Sequence, residues 1–272
     1  MLHEWLLWKV DGDLLTLLLV FWLSYVLCWV WMRRGGNRTA SIGRLVCWSS
    51  GLFVVSIALM SAIDTMAYSY LYVHMIQHML LMEAAPPLLI LGRPLSVWQV
   101  AFSSERIRQV AEAFPLRKAL VAGLSFILKP PVAWGLSAAT ISVWHFPVAY
   151  DFALAHPSVH EYLEHTTLFL SSLAWWHPLI GSLPQFPYLS ASRSRFLYVL
   201  AGMIPLVLVG VIILFAPHVI YSYYLGVQPT GALSGMADQE IGALIMLASG
   251  MTVLFAIALP LQYIDKVPLS YP

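Results

Sequence analysis

The stretch YLYVHMIQHMLLMEAAPPLLILG (Tyr70–Gly92) is apolar enough to cross a membrane, yet it holds two histidines, a glutamine, a glutamate and three methionines. On an α-helix His74, His78 and Met82 fall at i, i+4 and i+8 and share one stripe, with Met75 and Met79 on the adjacent row. Imidazole and thioether form a ligand set suited to copper, above all to Cu(I), which favours soft donors. Ionisable side chains inside a span are expensive and mark functional positions, with the partner to be named. For His74 and His78 the competing reading is a pair of hydrogen-bonding groups between helices. For the methionines, ordinary packing is favoured over ligation.

A second stretch, WHFPVAYDFALAHPSVHEYLEH (Trp144–His165), adds His145, His156, His160 and His165 together with Asp151, Glu161 and Glu164. Pro157 suits a first helical turn, which puts His156 near a cap. Beyond it, His160 with Glu164 and Glu161 with His165 are i, i+4 pairs on neighbouring rows. Either pair could ligate a metal, or its carboxylate could orient a ligating imidazole. A solvated, mutually paired helix start is the structural alternative, since acidic residues suit that end of the dipole. Glu83 stands about 20 Å along its helix from the outer end, where a lone carboxylate is protonated, paired or facing a polar cavity. The following Ala84-Ala85-Pro86-Pro87 predicts a kink or break that frees carbonyls for other donors. Asp238, opening the last apolar segment in Asp238-Gln239-Glu240, reads as a helix cap.

Holding such residues in register falls to membrane helices. The chain has 272 residues, of which 60% are hydrophobic and only 10% charged, against roughly a quarter charged in soluble domains. A net charge of +1 gives no reason to expect nucleic acid. The two cysteines, Cys28 and Cys47, lie in apolar stretches without a paired motif, which argues against a disulfide framework or a thiolate zinc site. A span needs about 20 mostly apolar residues. Seven segments qualify: Leu14–Met32, Leu45–Ile63, Tyr70–Leu91, Pro131–Phe146, Leu163–Ile180, Phe196–Phe215 and Ile241–Leu261. Ala119–Leu128 reads as a partly buried or interfacial lead-in to the fourth, cut off by Lys129-Pro130-Pro131. The N-terminal segment has no basic n-region or small-residue cleavage site, so the first helix is expected to stay.

With seven spans, thirteen of the fourteen Lys and Arg residues fall on one side, leaving Lys9 alone opposite. Cytoplasmic loops carry the basic excess, so the N-terminus is expected outside and the C-terminus inside. The fold class is thus an all-α polytopic bundle, a single integral membrane domain over residues 1–272. The basic loop GRPLSVWQVAFSSERIRQVAEAFPLRK predicts a helix lying on the membrane surface against lipid. On this topology eight of the nine histidines lie on the outer side, and only His177 faces the cytoplasm.

The motifs HMIQHMLLMEAAPPLLILGRP, WHFPVAYDFAL leading into EHTTLFL and WWHPLIG, and ADQEIGALIM succeed one another in this order. Together, over roughly Tyr70 to Met246, they resemble the CtaG family of multi-span cytochrome c oxidase assembly factors. The resemblance implies a seven-span protein of the bacterial plasma (inner) membrane, needed to make active haem–copper oxidase, with a role in supplying or inserting copper. It implies as partners one or more oxidase subunits or another copper protein. Carried over residue by residue, the motif positions are His74, His78, His145 and His165, with Glu164 before it and His160 as a further member. His177 is left out, because that position of the family is more often aromatic or apolar.

The residue content also separates the function classes. The leading expectation is an assembly factor without catalytic turnover, binding copper through an outer-facing cluster of His74, His78, His145, His160, His165 and Glu164. A haem-binding electron-transfer protein, with a bis-imidazole pair such as His78 and His145, is the alternative from another class; a Soret band in purified material would favour it. A metal-dependent membrane enzyme ranks lower, for want of a nucleophile or a recognisable substrate site. Transport along a copper path ranks lower too, since polar residues thin out towards the inner half and no inverted repeat is visible. A retinal protein is excluded by the absence of lysine from Ile241–Leu261.

Overall fold

A computed structural model describes residues 9–37, 40–101, 115–181, 186, 189, 192–227 and 233–264. His3 and most of the expected surface helix of the basic loop lie outside these residues. The described residues are 84% helical, with no strand among them. Its order is α1 (Gly12–Arg34), α2 (Ile42–Met60), α3 (Ala62–Ala67), α4 (Leu71–Met79), a π-turn π1 (Leu80–Ala84), α5 (Ala85–Leu91) and α6 (Pro94–Ala101). Next come α7 (Arg117–Ile127), α8 (Pro130–Trp144), α9 (Pro147–Ala155), a second π-turn π2 (Val159–Glu164), α10 (His165–Ile180), α11 (Ser192–Leu214), α12 (Tyr223–Val227) and α13 (Gly235–Ile264).

Helices cover all seven expected segments. Among the described residues four are long and apolar enough to cross a membrane: Gly12–Arg34, Ile42–Met60, the continuous Leu71–Gln99 and Arg193–Leu214. The pair α7 and α8 makes a fifth if counted as one span, bent by 75°. The bend has its cause in the sequence, because the residue before a proline avoids helical geometry. Lys129 is extended, and Pro130 restarts the helix at its first turn. No residue of α7 is buried, and of the lead-in Ala119–Leu128 only the last residue, Leu128, is buried.

The double proline after Glu83 does not break its helix. Instead π1 widens one turn, with the Ala85 N–H reaching the Leu80 carbonyl five residues back. Pro86 has no N–H for the Met82 carbonyl, and a proline ring ordinarily collides with that oxygen. Here the Met82 carbonyl accepts from Trp176 Nε1 at 3.0 Å. The freed acceptor is satisfied by a neighbouring helix, and the chain runs on through α5.

Two apolar cores hold the helices together. One gathers Leu71, Met75, Met79 and Met82 with Ile141, Tyr150, Leu168, Trp175, Trp176, Met203 and Met246. The methionines flanking the histidines are therefore packed, and Met79 Sδ accepts from Ser249 Oγ at 2.8 Å. The other joins Tyr25, Cys28 and Met32 of α1 to Trp48, Val55 and Leu89. There Gly51 lets α2 approach α5 so closely that a Cβ would stand 2.7 Å from the Leu89 side chain.

Asp238 does cap a helix, but not its own. Its two carboxylate oxygens accept from the Leu71 and Tyr72 backbone N–H groups, each at 2.9 Å. These belong to the first turn of α4, whose cap residue Tyr70 supplies no side-chain hydrogen bond. The adjacent Gln239 donates to the Ile213 and His218 carbonyls and accepts from the Ile220 N–H. It thereby closes the end of α11. Replacing Asp238 with Ala strands one buried and one part-buried donor, a fully buried one costing about 1–3 kcal/mol when left unpaired. We expect Asp238→Ala to lower the thermal unfolding midpoint in detergent clearly, and Asp238→Asn, which keeps one acceptor oxygen, to lower it less.

Candidate metal centre

Three separate helix ends converge on one point. α4 presents His74 and His78 one turn apart, their ring centroids separated by 4.2 Å. α8 ends at His145, whose ring stands 5.6 Å from that of His78. π2 and the first residue of α10 supply His160, Glu164 and His165. None of these six residues is more than 5% exposed. All six residues expected from the sequence are thus brought together.

The π-turn explains how His160 and His165 come to share a face. In an α-helix five residues turn the chain about 140° past a full rotation, which would send these rings apart. In π2 the His165 N–H bonds the His160 carbonyl, five residues back. His160 then has both Glu164 and His165 above it: its Nδ1 lies 2.8 Å from Glu164 Oε2, and its ring centroid 4.2 Å from that of His165. The expected pairing of Glu161 with His165 fails for the same reason. Glu161 turns outward, where Lys9 Nζ meets its Oε1 at 2.9 Å and Tyr68 Oη reaches the same oxygen at 3.5 Å. The hydrogen bond to Glu161 holds the Lys9 ammonium above its ordinary pKa.

Hydrogen bonds decide which nitrogen of each ring is free. His145 Nδ1 lies 2.8 Å from the Ile141 carbonyl, which can only accept, so Nδ1 carries the proton and Nε2 the lone pair. A carboxylate at Glu164, whose Oε2 lies 2.8 Å from His160 Nδ1, calls for the same tautomer at His160. His74 Nδ1 meets Tyr150 Oη at 2.6 Å and Tyr224 Oη at 3.1 Å; the two hydroxyls are 3.2 Å apart, and Tyr224 donates to the Ala67 carbonyl at 2.9 Å. One arrangement supplies each link of this hydrogen-bond chain with a proton. Tyr224 donates to Ala67, Tyr150 to Tyr224, and His74 Nδ1–H to Tyr150, so His74 Nε2 is also left with its lone pair.

The freed atoms have no protein partner. Nε2 of His74, His145 and His160, both ring nitrogens of His78 and His165, and Glu164 Oε1 are all buried without a hydrogen bond. Glu164 Oε1 stands 3.4 Å from His78 Nε2 and 3.9 Å from His74 Nε2. The donor atoms of His74, His160 and His165 all lie within 4.8 Å of one another, as do those of His74, His78 and Glu164. Two atoms bound to one ion at about 2.0–2.2 Å stand at most about 4 Å apart, so small side-chain shifts close either set on an ion. Metal binding requires neutral imidazoles with a free lone pair, which the hydrogen bonds on Nδ1 provide at His74 and His145.

The remaining candidates go elsewhere. His156 ends α9, exposed, with Nδ1 on the Phe152 carbonyl at 2.8 Å. His218 is exposed in the connection after α11, and His177 lies at the far end of α10. Asp151 is not a ligand but accepts from the Ser222 and Tyr223 N–H groups at 3.1 and 3.2 Å. It anchors the start of α12, the element that carries Tyr224 to His74. Glu83 Oε2 is buried without a partner, and nothing in the structure explains it. Tyr150 and Tyr224 were missed from the sequence. Tyr150 sits inside the WHFPVAYDFAL motif, but no spacing rule links either tyrosine to His74.

Beside the cluster, an apolar cavity of about 460 Å³ runs between α1, α2, α5 and α10, lined by Leu14, Leu18, Phe21, Leu52, Val55 and Phe169 among others. Glu161 and His165 line it too, as do Arg93 and His177.

Comparison with known proteins agrees with the motifs. The sequence matches the family described as cytochrome c oxidase caa3 assembly factor over residues 23–264. The chain belongs to this family. An uncharacterized protein of Mycobacterium leprae (strain TN) is 27% identical over 188 residues. That match takes in 67% of the present chain but only 28% of the mycobacterial protein, so the chain spans well under half of that relative. No solved structure matches the chain.

Because the tyrosine chain orients His74 without touching an ion, Tyr150→Phe should leave the fold intact and weaken metal binding by about 10-fold or more. Equilibrium competition with a chromogenic chelator measures this, alongside an unchanged thermal midpoint.

Proposed function

We propose that this member of the caa3 assembly-factor family binds copper through His74, His78, His145, His160, His165 and Glu164 and helps deliver it to cytochrome c oxidase. The observation that carries the reading is the set of buried imidazole and carboxylate atoms without hydrogen-bond partners, with His74 and His145 held so that Nε2 is bare. Imidazole and carboxylate donors suit copper, zinc, iron and nickel alike. Copper is favoured among these because the role implied by the family resemblance is copper supply to an oxidase. In this reading copper is cargo and no turnover is involved.

The topology proposed with it has seven spans, the N-terminus outside and the C-terminus in the cytoplasm of a bacterial plasma membrane. The one-sided distribution of Lys and Arg supports it. The cluster then lies in the outer half of the membrane, and the acceptor is an oxidase subunit, or another copper protein, presenting its own site at that level.

Purified protein should carry copper by elemental analysis, and His74→Ala and His78→Ala should each lose most of it. Membranes expressing either variant should show lower cytochrome c oxidase activity at unchanged levels of the assembly factor. Normal copper content in both variants would overturn the reading.

A further inference from the structure

The cluster offers more donors than one ion can use. Six residues each bring at least one buried, unpartnered ligand atom. An ion held by nitrogen and oxygen donors in tetrahedral geometry takes four. A single ion would therefore leave two further polar groups to be satisfied in an apolar bundle, where an unpaired one is costly; only His78 and Glu164, 3.4 Å apart, face each other closely enough to pair without an ion.

The two compact groups of donor atoms, His74 with His160 and His165 and His74 with His78 and Glu164, share His74, so two ions at once require His145 in place of His74 in one of them. The donor atoms of His74, His160 and His165 form one compact group. His74 can serve only one ion, because its Nδ1 is taken by the tyrosine hydroxyls. What remains is His78, with Nε2 3.4 Å from Glu164 Oε1, and His145, whose ring meets that of His78 at 5.6 Å. Glu164 stands between the sets: Oε2 fixes the imidazole of His160 and Oε1 faces His78.

We infer that the centre holds two metal ions, one on His74, His160 and His165 and the other on His78, His145 and Glu164. The inference rests on the metal-binding reading above and adds its stoichiometry and the division of ligands. Three protein donors per ion keep a coordination position open on each. That suits a site which must pass its ions on, where a closed four-ligand cage would hold them.

The full chain in detergent or nanodiscs, stripped by chelator and reloaded anaerobically with Cu(I), is freed of loose metal by gel filtration. Copper per chain is then read from elemental and amino-acid analysis. We expect about two copper ions per chain, the occupancy of other paired-metal sites. His145→Asn and His165→Asn, taken from opposite sets, should each fall to about half of that, and the double variant to near none. One ion per chain in the wild type overturns the inference and leaves copper binding standing; no bound ion overturns both. Full occupancy in His145→Asn would overturn the division of ligands. The wild-type ratio is independent of any variant's folding, which circular dichroism and a monodisperse elution profile check separately.

Discussion

Everything around the cluster answers one constraint: donor atoms kept away from both water and protein partners, in a bundle that has little to offer them. Hydrocarbon and packed apolar side chains leave such groups uncompensated. They persist only if the surrounding structure leaves the rings no alternative orientation. Two carboxylates do this at a distance. Asp238 fixes the first turn of the helix carrying His74 and His78, and Asp151 fixes the short helix carrying Tyr224. Neither touches the cluster, yet each holds an element that does.

The tyrosines extend the same logic to protons. A carbonyl that can only accept, that of Ala67, sets the direction of a hydrogen-bond chain that ends by assigning the tautomer of His74. Ile141 does so for His145 directly. Backbone carbonyls thus decide which face of His74 and of His145 is basic, and Glu164 meets the corresponding face of His160. Such outer partners tune ligand strength as well as orientation.

Much of this was legible in the sequence. The apolar segments, the identity of all six clustered residues and the packing role of the methionines come from hydropathy, residue type and helical spacing. Four features were not legible. The sequence paired Glu161 with His165 because i, i+4 spacing presumes an α-helix, and a π-turn is not announced by composition. Pro86 and Pro87 promised a break, but a widened turn and one tryptophan N–H absorbed them. Asp238 looked like a local cap, while its partners lie 167 and 166 positions away along the chain. The tyrosines pack from connections outside the helices that carry the histidines. Local rules see register and not docking, so the clustered residues were visible and their supports were not.

The two π-turns also place the protein's tolerance in an unusual quantity. Each holds one residue more per turn than the flanking helix prefers, and such turns persist in spite of poorer hydrogen-bond geometry. Deleting one residue from Glu161–Leu163 would leave His165 over His160, four residues on in regular α-helix; straightening the segment at its present length would instead rotate the rest of α10 by about 100°. Helix formation would gain, while His165 would swing away from His160. In these segments residue count carries the information that side-chain identity carries elsewhere. An alignment weighing substitutions alone would not register it, whereas gaps falling within six residues would.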